Sequence, residues 1–122
     1  MRFDDKDLVY GLYGKHAGRA EDYKLRFGGQ LLSDLDWPEL AHVQDVTIEA
    51  MEKALTDRYL IHFTLAGIDL HDLPLSLAGS GRYSETITIF ELRYLMKHWL
   101  RFQHHVHFYC DDKEVPAPWT TP

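Results

Sequence analysis

The feature that most constrains this chain is a change of period near its end. Leu92, Leu95, Met96, Trp99 and Phe102 recur at helical spacing behind Thr88 and Glu91, which match a capping box, and Gln103 to Cys110 then alternates. A helix over Ile89 to Phe102 that feeds directly into a strand calls for a layered domain in which helices pack on a sheet. In that strand Val106, Phe108 and Cys110 face one way, and His105, His107 and Tyr109 the other. Trp99 should point into the sheet. Trp119 lies beside Pro118 and the terminal Thr-Thr-Pro, and should tolerate truncation unless the tail docks back on the domain.

Other segments fill in the layers. Arg58 to Gly67 is rich in Tyr, Ile, Phe and Thr and is apolar on both faces except at His62, which predicts a central strand. Asp22 to Phe27 alternates and ends at Gly28-Gly29, so it reads as another strand. Leu73, Leu75 and Leu77 before Gly79-Ser80-Gly81, with Ile87 and Ile89 after it, predict a linked strand pair whose first member Pro74 would push to an edge. Asp5 to His16 reads as a helix with Leu8, Val9, Leu12 and Tyr13 on one side, despite Gly11 and Gly14. Pro38 to Thr56 reads as a helix capped by Asp36, with Leu40, Ile48, Met51 and Leu55 toward the core and Thr47 able to restart it. The expectation is one α+β domain over residues 1–122. It has a mixed, mostly antiparallel sheet of four or five strands, about three helices packed on it, and a proline-bearing tail over 113–122.

Composition sets the limits. At 122 residues and 45% hydrophobic content the chain can bury one core and is too short for two ordinary domains. The start shows no apolar signal region, and no apolar run approaches the roughly 18 residues of a membrane span. Cys110 is the only cysteine, which excludes an intrachain disulfide framework and a multi-cysteine zinc site. A reducing, cytoplasmic location is the simplest fit.

The charge is unevenly distributed. Between Gly29 and Ser80 nine acidic residues face two basic ones, whereas residues 1–28 carry six basic and five acidic side chains and residues 81–122 carry five of each. All of the net charge of −6 therefore belongs to the middle of the chain. A one-signed surface steers a cationic partner and repels phosphate backbones, so direct nucleic-acid binding is disfavoured. On the helix predicted from Pro38, Asp45, Glu49 and Glu52 fall at i, i+4 and i+7 on one face, a repulsion of about 0.2 to 0.5 kcal/mol per like pair that Lys53 offsets in part. Asp34, Asp36, Glu39, Asp45, Glu49 and Glu52, with Trp37 as aromatic anchor, are the candidate partner-binding residues.

Other constellations are weaker. Four of the eight histidines lie within His98 to His107, and His105 and His107 leave one strand face, so they could share a metal ion if Asp69 or His71 supplied a third ligand. The triplets Leu25-Arg26-Phe27, Ile61-His62-Phe63 and Val106-His107-Phe108 would bring Arg26, His62 and His107 onto one sheet face if the strands are neighbours. Lys15, His16 and Arg19 make a small basic cluster without a second acid-base group, and Ala78-Gly79-Ser80-Gly81-Arg82 reads as a turn rather than a phosphate loop because no Walker lysine follows. The chain has no G-x-S-x-G, H-E-x-x-H or G-x-G-x-x-G.

The reading that follows is a small acidic cytoplasmic binding protein that needs no cofactor, with enzymatic activity left open. It would cover a basic protein in the manner of an inhibitor or immunity protein that neutralises a nuclease-like toxin. The alternatives are a small metal-dependent enzyme built on His105, His107 and Asp69 or His71, and an acidic DNA mimic.

Overall fold

A computed structural model describes residues 1–14, 16–79 and 86–120. Strands β1 (Leu8–Tyr10), β2 (Ile61–Thr64), β3 (Val106–Cys110) and β4 (Lys113–Val115) form one sheet in that spatial order. β1 runs parallel to β2 and β2 parallel to β3, and β4 returns antiparallel to β3. Five α-helices lie among the described residues: α1 (Ala20–Phe27), α2 (Val43–Asp57), α3 (Leu73–Leu77), α4 (Ile87–Lys97) and α5 (Trp99–Phe102), with a 3-10 turn at Leu32–Asp34. The fold is the expected α+β type with four strands. It departs from expectation in being mostly parallel and in having five helices rather than about three.

Long crossovers account for both departures. Parallel neighbours need a connection of a dozen residues or more, and residues 11–60 and 65–105 supply two, each with room for helices. Because both crossovers step the same way along the sheet, right-handed connections put α2 and α4 on one face, where they share a core with Leu8, Tyr10, Ile61, Phe63, Val106 and Phe108. α1 covers the other face with Phe3, Val9, Tyr23 and Tyr109.

The expected helix over Asp5 to His16 is instead β1 and a loop. Leu8, Val9 and Tyr10 are all buried, so three consecutive apolar side chains serve both faces of a covered strand, which looks helical when read singly. The expected strand over Asp22 to Phe27 is α1. Its alternation hid an i, i+4 pair, Tyr23 and Phe27, whose rings meet edge-on at 5.2 Å, and it left Leu25 86% exposed. Leu73 to Leu77 is α3, with Pro74 tolerated in its first turn, and Ile87 opens α4 behind Thr86, whose hydroxyl accepts from the Ile89 N–H. α2 starts at Val43 rather than Pro38, and Leu40 is 94% exposed. The long helix expected from Ile89 breaks at His98, where α5 restarts. Ser80, Gly81 and Arg82 of the expected turn, and Lys15, lie outside the described residues.

The C-terminal stretch is no loose tail. Asp111 and Asp112 both take positive φ (52° and 65°), the two-residue hairpin geometry, and this returns residues 113–115 against β3. Tyr23 Oη accepts from the Asp112 N–H at 3.0 Å, and Arg26 grips the Asp112 carboxylate with two bonds of 2.7 Å, so α1 holds the turn. Beyond β4, Trp119 packs edge-on against Trp99 (5.1 Å) and Phe108 (5.4 Å), and Trp99 faces the sheet as expected.

Candidate functional site

The acidic middle of the chain begins where the backbone leaves α1. Gly29, at φ 87°, passes so close to β1 that a Cβ there would sit 2.8 Å from Val9 Cγ2. That approach lets Gln30 bond along the edge of β1: its N–H donates to the Asp7 carbonyl and its carbonyl accepts from Val9, both at 2.9 Å. The 3-10 turn follows, closed by Asp34, which accepts from the Leu31 N–H at 2.8 Å. Residues 35–41 then arch outward before His42 starts α2 with no side-chain cap. At the far end of α2, Arg58 in the left-handed conformation (φ 62°) stops the helix and turns Tyr59 back toward the arch.

Between the arch and α2 lies a cleft of about 440 Å³. Buried Leu8, Val46 and Ala50 line its depth, half-buried Leu35, Ala41 and Tyr59 its sides, and exposed Asp36, Trp37, Pro38, Asp45, Glu49 and Lys53 its mouth. Four of the seven expected partner-binding residues, Asp36, Trp37, Asp45 and Glu49, thus come together. Among the described residues, Asp36, Asp45 and Glu49 have no cation within 4 Å, and Lys53 has no carboxylate within that distance.

The other three expected residues lie elsewhere. Asp34 pairs with Lys24 at 2.6 Å, a hydrogen bond that holds its carboxyl below the usual range. Glu52 binds Arg101 of α5 and the hydroxyl of Tyr94 in α4. Glu39 is exposed on the arch outside the cleft. The three-carboxylate stripe of α2 is therefore split. Seven residues fall about 20° short of two turns while four overshoot one by about 40°, so Glu52 leans toward α4 and Glu49 toward the cleft. Pattern reading missed Tyr59 as a cleft wall because it took residues 58–67 as one strand. The only available signal was the position of Tyr59 just past a helix end.

The histidines are dispersed. His62 and His107 are cross-strand neighbours with rings 5.9 Å apart, as the triplets suggested, but Arg26 sits on α1 and is bonded to Asp22 and Asp112. His107 Nδ1 lies 3.1 Å from Glu114 Oε2. His105 precedes β3, at the end of the sheet where β2 begins, whereas Asp69 and His71 follow β2 at the opposite end and close a turn in which Asp69 accepts from the His71 N–H. Among the described residues, no three His, Cys, Asp or Glu side chains are grouped to hold a metal ion. Of the basic cluster, Arg19 bonds the Tyr13 carbonyl at 3.1 Å and His16 is exposed.

Two polar residues named from the sequence lie buried, which the pattern did not show. His62, 5% exposed, has Nε2 at 2.8 Å from Asp7 Oδ2 and Nδ1 at 2.8 Å from Tyr109 Oη, and Phe3 stacks on its ring at 3.7 Å. Asp7 also accepts from the Leu60 and Asp4 N–H groups. Burial lowers the His62 pKa despite that carboxylate. Glu91, expected in a capping box, faces inward. Thr47 Oγ1 sits 2.7 Å from its Oε2 and 3.1 Å from Tyr10 Oη, so with one proton to give it donates to one and accepts from the other. Burial pushes the Glu91 carboxyl up to about 8, which favours its protonated form at neutral pH.

Compared with protein-family models, with curated proteins and with solved structures, the chain matches none. No helix among the described residues is long and apolar enough to cross a membrane.

Proposed function

We propose that this protein is a small binding protein whose acidic face covers a basic protein, as an inhibitor or immunity protein covers a nuclease-like toxin. The observation that carries the reading is the cleft. Asp36, Asp45 and Glu49 surround an aromatic and apolar opening, and among the described residues no cation lies within 4 Å of them, whereas Asp34 and Glu52 are paired internally. Three unpaired carboxylates against one ammonium leave a negative field at the mouth, and such a field accelerates encounter with a cationic surface. An exposed Trp beside the charges supplies the kind of anchor that dominates binding energy. The comparison with inhibitors and immunity proteins rests on charge and size.

The test uses the intact chain as bait in cross-linking capture from its source cells, followed by stopped-flow association with each captured protein at several salt concentrations. The expected partner is basic, with an on-rate that falls steeply with salt and falls again when Asp36, Asp45 and Glu49 are changed together to Lys. A low-salt on-rate unchanged by that triple reversal refutes the reading.

A further inference from the structure

The cleft is an apolar groove with a charged mouth, and the combination specifies an occupant. Its volume, about 440 Å³, lies at the small end of the roughly 300 to 1,000 Å³ of pockets that hold one small ligand, so it admits a side chain rather than a helix or strand. Leu8, Val46 and Ala50 offer a dry wall to a methylene stem, and Trp37 and Tyr59 offer aromatic surface to a flat cation. With Asp36, Asp45 and Glu49 against Lys53, the mouth carries a formal charge of −2, so a single positive charge enters and is still attracted once inside.

We infer that the cleft is an anchor pocket for one arginine side chain of the protein partner. The inference rests on the binding-protein reading and names the chemistry that the reading leaves open. Arginine fits better than lysine because its guanidinium is planar, weakly hydrated and able to fork between carboxylates while it stacks on an aromatic ring. Lys53, tethered at the rim without a carboxylate partner within 4 Å, competes with the arriving cation for the same three acids.

The test is an NMR titration of the labelled whole protein with acetyl-Gly-Arg-Gly-amide, its lysine and citrulline counterparts, and spermidine, at low salt. The arginine peptide should shift the Trp37 indole N–H and the amides of Asp45, Glu49 and Lys53 saturably, and bind at least 3-fold tighter than the lysine peptide. Citrulline, the uncharged isostere, should shift nothing. Asp45→Asn with Glu49→Gln should weaken binding at least 10-fold, and Lys53→Met should strengthen it about 3-fold. Equal shifts by citrulline, tighter binding of lysine or spermidine, or shifts confined to other surfaces each overturn the inference. If the arginine peptide fails while the triple reversal still slows the captured partner, the face steers without an anchor pocket and only this inference falls. If the peptide binds and no basic partner is captured, the pocket stands and the inhibitor reading falls.

Discussion

Toward α2 and α4 the sheet presents Leu8, Tyr10, Ile61, Phe63, Val106 and Phe108, whereas toward α1 it presents Val9, His62, Thr64, His107 and Tyr109. The first face is closed by apolar packing, with the carboxyl of Glu91 buried beside it against the Thr47 hydroxyl. The second is closed by aromatic rings laid over a hydrogen-bonded line from Asp7 through His62 to Tyr109. Both exclude water, but they fail differently: removing volume should break the first, and changing a proton should break the second. The same strands thus carry two kinds of core, set by whether odd or even positions are read.

The largest expected effect comes from volume. Phe63 is fully buried between Tyr10 and Phe108, so Phe63→Ala should cost about 3 to 5 kcal/mol in urea denaturation through lost burial and a cavity. A loss under about 1 kcal/mol would mean that this face is not the main core.

Next comes Glu91, the exception on the apolar face. Its folded pKa, about 8, lies above its unfolded value, so its contribution is complete in acid and is lost as pH rises from the ordinary carboxyl range through about 8. At 1.36 kcal/mol per pH unit, raising this carboxyl from 4.5 to about 8 corresponds to roughly 5 kcal/mol. Melting temperatures at pH 7 and pH 9, both above the range in which His62 acts, should therefore differ in the wild type, and Glu91→Gln should remove most of that difference. An unchanged difference would place Glu91 outside the core.

On the α1 face the sign reverses. The His62 pKa is lowered, so the unfolded chain takes its proton first, and stability present above about pH 6.5 is lost as pH falls below it. Asp7, His107 and Glu114 are the ionisable groups that act on the ring's charge, and Tyr109 Oη lies at its Nδ1. Tyr109→Phe leaves buried Nδ1 without a partner and should cost about 1 to 3 kcal/mol at pH 7. Acid-unfolding curves of the two proteins check this, and coincident curves would remove Tyr109 from the network.

The smallest effect is expected at the surface clamp. Arg26 bonds Asp22 and Asp112 but is partly exposed, so Arg26→Met should cost no more than about 1 kcal/mol, less in high salt. A larger loss would show that the clamp, rather than Tyr23, holds the β4 turn.

Legibility followed local pattern. β3 was readable because Val106 to Tyr109 alternates across a sheet with two unlike faces, and β2 because its apolar content marked it as central. β1 was not, since three consecutive buried residues carry no period at all. α1 imitated a strand through Tyr23, Leu25 and Phe27, and only the packing of Tyr23 on Phe27 separates the two readings. At the cleft, the choice of Asp36, Trp37, Asp45 and Glu49 was available from charge, whereas the pairing of Asp34 with Lys24 and of Glu52 with Arg101 depends on tertiary neighbours. Glu91 showed the same limit: a capping-box spacing is also a spacing that can face inward.

The hairpin at Asp111 and Asp112 has a kinetic consequence. Among the described residues it is the one strand pairing that joins near neighbours in the chain, and hairpins close within about 1 to 10 μs. Both parallel pairings must bring together segments separated by residues 11–60 or 65–105, and that search must be completed before their hydrogen bonds return anything. β2, which pairs with both β1 and β3, therefore waits for partners from both directions. While it waits, an apolar strand with two open edges is the segment of this chain most able to find a second molecule instead of its own neighbours.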